Sequence, residues 1–131
     1  MGKEAESGRS TLAKVLTTSV GVSRAVSGSG FMAAPRPVAK RWLGASSDEA
    51  LYLIRAVGGR DLALGVGVTT AGITGRSPVG WLLAAAAADL VDGVVGAVMW
   101  EGRRRTETMV VALGVSALSA VAAAVEVAQS D

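Results

Sequence analysis

Four long apolar stretches, divided by short polar connections, make up most of this sequence. They run from about Leu12 to Ala34, Ala50 to Thr74, Val79 to Trp100 and Thr108 to Ala128. At about 1.5 Å per residue, a helix of any of these lengths reaches across the ~30 Å hydrocarbon core of a bilayer. The pattern predicts an all-α fold, a four-transmembrane-helix bundle, with residues 1–131 as a single membrane domain. The third and fourth stretches are apolar nearly all round, whereas a surface helix of a soluble protein keeps a polar face. The first two are weaker: Arg24 interrupts one, and Arg55, Arg60 and Asp61 interrupt the other.

The connections carry the punctuation of helix ends. Pro35 and Pro37 close the first stretch, followed by Arg36, Lys40, Arg41 and Trp42. Residues 35–43 are expected to form a short interfacial helix, with Val38, Trp42 and Leu43 in lipid. Ser47, Asp48 and Glu49 read as a helix N-terminus, since a hydroxyl caps the first turn and acids suit the dipole. Gly75 to Pro78 is a tight turn, predicting an antiparallel hairpin of the second and third helices. Trp81 and Trp100 bracket the third helix near its two interfaces.

Composition sharpens this picture. Half the residues are hydrophobic, only 4% are aromatic, and 17 are Gly. Small residues in place of rings suit membrane helices that approach closely. The chain has no Cys and no His, which removes thiolate and imidazole metal sites, disulfides and Cys or His nucleophile–base pairs. No metal and no cofactor is expected. The net charge of +2 argues against a nucleic-acid partner, and Arg103, Arg104 and Arg105 read as a membrane-flanking cluster. The opening residues, polar and containing Glu4 and Glu6, do not read as a cleaved signal. Basic residues in the first and third loops slightly outnumber those of the opposite side, Lys3, Arg9, Lys14 and Arg76. That bias favours a multi-pass cell-membrane protein with both termini outside.

The candidate chemistry is a set of charges inside apolar helices: Arg24, Arg55, Arg60, Asp61, Asp89 and Asp92. Asp89 and Asp92 are three apart and share one face of the third helix, with Gly93, Gly96 and Ala85. An ionised carboxylate near a bilayer centre needs a partner, so both are expected to look into the bundle. Arg60 stands fifteen residues before Gly75 and Asp92 fourteen after Pro78, so the hairpin matches their depths. Arg60 is therefore paired with Asp92, and Arg24 is expected to reach the same layer. Such a network either fixes helix register or forms a polar pocket for a proton, ion or small ligand. Glu126, near a helix end, reads as an interfacial acid. Gly58, Gly65 and Gly72, seven apart, predict a smooth seam on the second helix, and Ala112, Ser116, Ala120 and Ala124 a small-residue ridge on the fourth.

The order and spacing of several motifs resemble a family of small bacterial four-helix membrane proteins of unknown function. They are residues 28–35 (GSGFMAAP), 54–67 (IRAVGGRDLALGVG), 80–82 (GWL) and 88–92 (ADLVD). In some relatives a similar module precedes a polyketide-cyclase-like lipid-binding domain. The resemblance implies a shared charged core at Arg55, Arg60, Asp61, Asp89 and Asp92 and no established catalytic activity. The leading expectation is a binding or interaction bundle, in contact with membrane lipids and with a protein partner, a second copy of itself or a lipophilic ligand. A proton- or ion-coupled transport component is the second reading. A membrane enzyme using a buried Asp on a lipophilic substrate is the third.

Overall fold

The computed structural model describes residues 2–129, and these are helical throughout except at the connections. The elements are α1 (Gly2–Ala33), α2 (Pro35–Trp42), α3 (Asp48–Ile73), α4 (Val79–Met99) and α5 (Gly102–Val127). The chain is all-α, as the apolar stretches predict, but the helices outrun them. α1 starts ten residues before Leu12, and α5 takes in the Arg triplet, where Arg103 pairs with Glu107 one turn on at 2.6 Å. Polar residues leave a lipid core but do not end a helix, and neither segment contains a proline. The charges of Lys3 and Arg9, and the last residues Ser130 and Asp131, lie outside the described structure.

Each break has a local cause. Pro35 pushes the preceding Ala34 out of helical geometry, to φ −129° and ψ 62°, and α2 starts at the proline. Gly44 and Gly75 turn the chain at φ 69° and 70°, in the left-handed region that a side chain disfavours. At α3 the Ser47 hydroxyl accepts from the backbone N–H of Ala50, as a cap does. Glu49 is held below the usual carboxylate range by its own backbone N–H and by the Ser47 hydroxyl. That contribution is present above the unfolded carboxyl's pKa and fades as acid takes the pH below it.

The interfacial reading of α2 is corrected in part. Trp42 is exposed and meets Phe31 edge-on at 5.1 Å, but Val38 and Leu43 turn inward. They pack on the cluster of Ala39, Ala50, Leu51 and Ile54 that closes this end of the bundle. A second cluster, Val20, Val68, Leu82, Ala122 and Ala123, lies towards the other end.

The close pairs are α1 with α3 and α4 with α5, both antiparallel; α3 and α4, joined by the tight turn, touch only sparsely. Glycine explains the difference. On α1, Gly21 and Gly28 abut α3, and on α3, Gly58 and Gly65 abut α1, so closely that a Cβ at any of them would meet the other helix. Gly58 and Gly65 therefore form the expected seam, and Gly72 continues it more loosely, where a Cβ would make ordinary contact with Thr17 of α1 at 3.8 Å. The ridge on α5 is also corrected. Ala112 and Ser116 are buried, but the stripe continues through Ser119 and Ala123, leaving Ala120 and Ala124 exposed. A four-residue repeat drifts by about 40° per step on a helix of 3.6 residues per turn, so it leaves the contact face.

Among the described residues, two helices are long and apolar enough to cross a membrane. Over their most apolar stretches α4 has a mean hydropathy of 1.8 and α5 of 2.1, with only 33% and 28% of those stretches buried.

Candidate functional site

The charges that interrupt the apolar helices meet between the two apolar clusters. Arg60 of α3 grips Asp92 of α4 with both terminal nitrogens, at 2.9 and 2.7 Å. This is the pairing that the hairpin depths predict, and the two-pronged form suits a planar guanidinium. Arg60 also donates to Asp61 at 3.2 Å. The same Asp61 oxygen accepts from Arg24 of α1 at 3.0 Å. Arg24 then reaches across the bundle to Asp89 of α4, and its Nη2 also lies 3.4 Å from the Ala85 carbonyl. The result is one chain of alternating charge, Asp92–Arg60–Asp61–Arg24–Asp89, that ties three helices together.

Burial rises along it. Side-chain exposure falls from 40% at Asp92 and 31% at Arg60, through 16% at Asp61, to 9% at Asp89 and 4% at Arg24. The deepest pair is thus Arg24–Asp89, not the Arg60–Asp92 pair that the hairpin singles out. Asp89 looks into the bundle as expected, while Asp92 sits at its edge. The long reach of Arg60 bridges the wide α3–α4 spacing that a shorter side chain would leave open.

Arg55 does not belong to the layer. It is exposed and in no ion pair among the described residues. Five residues before Arg60, it points about 140° away around α3. Glu126 is half-buried and accepts a hydrogen bond from the Thr17 hydroxyl at 2.5 Å. Two serines of α5 join the buried polar set: Ser116 donates to the Ala86 carbonyl at 3.0 Å, and Ser119 is fully buried. Ser119 escapes sequence reasoning because its neighbours are apolar; only the drift of the α5 stripe points to it.

Outside the layer an open furrow of about 1160 Å³ follows the outer side of α3. Met32, Gly59, Ala63 and Gly67 line its length, with Trp81 over Gly67 and Arg76 at its end. From Gly59 to Thr74 it extends about 22 Å along the helix. On the opposite end of the bundle Arg104 stacks over Trp100 at 5.7 Å and lies beside Gly44, bringing the first and third connections near each other.

Fold and site together define a small helical bundle with a buried Arg–Asp layer and a largely apolar exterior. No protein-family model matches the sequence, and no curated protein or solved structure is significantly similar to it.

Proposed function

We infer that this chain is a multi-pass cell-membrane protein of four spans, kin to the small four-helix proteins its motifs resemble, that binds a lipophilic ligand along α3. The observation that carries the membrane reading is the outer surface. Val22 and Val26 on α1, Tyr52 and Val66 on α3, Val94 on α4 and Val111 on α5 are all exposed. Soluble proteins rarely leave so much apolar surface uncovered. α1 and α3 fall short in apolarity because of Arg24, Arg60 and Asp61, and those side chains are ion-paired inside the bundle. A span can carry such charges when they face its neighbours.

In cells the chain is expected to stay in the membrane pellet after an alkaline wash, and a C-terminal reporter active only in the cytoplasm to stay silent. Release into the supernatant removes the membrane reading; a retained, active reporter reverses the orientation and leaves four spans intact.

The ligand reading rests on the furrow. It is mostly apolar, with Thr70, Thr74 and Ser77 towards the Arg76 end, and longer than the ~15 Å hydrocarbon depth of one leaflet. It ends at Arg76, an exposed cation in no ion pair among the described residues. An acyl chain along Gly59, Ala63 and Gly67 would place an anionic headgroup at Arg76. Anionic phospholipid is expected to stay with the purified chain through detergent exchange. Arg76→Gln should weaken retention about fivefold, since one cation at a membrane surface contributes about 1 kcal/mol. Ala63→Phe, at an exposed position that folding does not use, should displace the lipid. Equal retention by wild type and both variants sinks the furrow as a site. The charged layer, closed by ion pairs, takes no part in this binding and holds the helices in register.

A further inference from the structure

The ion pairs of the central layer do not balance. Two guanidiniums, Arg24 and Arg60, face three carboxylates, Asp61, Asp89 and Asp92. Among the described residues no other charged group from α1, α3, α4 or α5 pairs with them, and α5 brings only hydroxyls to this level. Fully ionised, the layer would keep one uncompensated negative charge where burial disfavours it.

A second observation is independent of the carboxylates. Ser119 is 0% exposed and its hydroxyl has no hydrogen-bond partner. The Nε of Arg24, in a side chain 4% exposed, also has none. These two groups stand at one level of the antiparallel α1–α5 pair. Thr17 is bonded to Glu126, and Arg24 and Ser119 each lie seven residues further in. Ser119 is also one turn from Ser116, which bonds Ala86 three residues before Asp89. Buried donors in folded proteins nearly always find a partner, and where protein supplies none an internal water does.

We propose that the layer is a proton-binding site: Asp89 carries one exchangeable proton, and a water bound by Arg24 Nε and Ser119 Oγ delivers and removes it. Asp89 is the carboxylate that fits. Asp92 is held by the two-pronged grip of Arg60, Asp61 is shared by both guanidiniums, and Asp89 has Arg24 alone. On uptake, an O–H bond of hydronium breaks as one forms on the Asp89 carboxylate, and water is released; no electrons are exchanged. The layer then holds two positive and two negative charges. This inference does not depend on the lipid furrow.

Infrared spectroscopy of the purified chain in lipid nanodiscs tests it. Near neutral pH exposed Asp and Glu are ionised, so a protonated-carboxyl carbonyl band there reports a buried acid. Wild type is expected to show such a band and to lose it on alkaline titration. Asp89→Asn, whose amide oxygen still accepts from Arg24, should lack it at every pH. Ser119→Ala, which removes one hydroxyl and leaves the carboxylates in place, should keep the band, shift its frequency and slow its exchange in heavy water several-fold. Absence of the band from wild type, or its survival in Asp89→Asn, overturns the proton site. An unchanged band and exchange rate in Ser119→Ala overturns the water.

Discussion

Asp89→Leu is expected to lower stability by about 3–5 kcal/mol, the usual cost of leaving a buried charge without its main partner. The substitution removes the main partner of the most buried charge in the molecule, since Arg24 is 4% exposed and Asp89 9%. Arg24 would keep Asp61, but Arg60 already shares that carboxylate. Asp92→Leu, which the hairpin depths suggest as the damaging change, should cost less, about 1–3 kcal/mol. Asp92 is at the rim, and Arg60 retains Asp61 when it is lost. The double variant Arg24→Leu with Asp89→Leu discriminates a buried pair from simple loss of packing. It removes Arg24 together with Asp89, leaves Asp61 with Arg60, and should recover most of the stability lost by Asp89→Leu alone. Equilibrium unfolding in mixed micelles reads all three. An Asp89→Leu variant as stable as wild type, or a double variant no more stable than Asp89→Leu alone, would show that the layer does not hold the bundle together.

The second large effect is expected at the α1–α3 seam. Gly65→Ala and Gly28→Ala each gain about 1 kcal/mol of helix propensity. Against that, a methyl at Gly65 meets the Ala25 nitrogen and the Gly21 carbonyl, and one at Gly28 meets the Leu62 nitrogen and the Gly58 carbonyl. Backbone atoms cannot rotate away as a side chain can, so the helices must part along the whole seam. Overpacking costs about 1–3 kcal/mol, occasionally more, and against immovable backbone the upper end applies, so the steric effect wins. Gly30 supplies the control, because nothing lies within 4 Å of a methyl placed there. Gly30→Ala should be neutral or stabilising by up to about 1 kcal/mol. If the three variants unfold alike, the two helices are not in backbone contact.

The Gly65 result separates two kinds of information in this chain. Helix positions were legible because they depend on neighbours in sequence: apolar runs, Pro35 at a break, Gly44 and Gly75 at turns, Ser47 at a cap. The Arg60–Asp92 pair was legible too, since a four-residue turn leaves an antiparallel hairpin little freedom in depth. Gly58 and Gly65 could be seen as half of a seam, but not what they faced.

Tertiary structure decided the rest. Which helices pair closely depends on surfaces far apart in sequence, and the glycines of α1 matched to those of α3 outweigh the short turn that makes α3 and α4 neighbours. That pairing places Arg24 on the bundle axis, within reach of both Asp61 and Asp89, and leaves Arg55 outside because its angle on α3 faces away. Ser119 comes level with Arg24 only when α5 lies antiparallel to α1 with Thr17 against Glu126. A charged residue inside an apolar helix announces that it needs a partner; only the packing angle and register of several helices at once decide which partner it finds, because side chains meet through space and not along the chain.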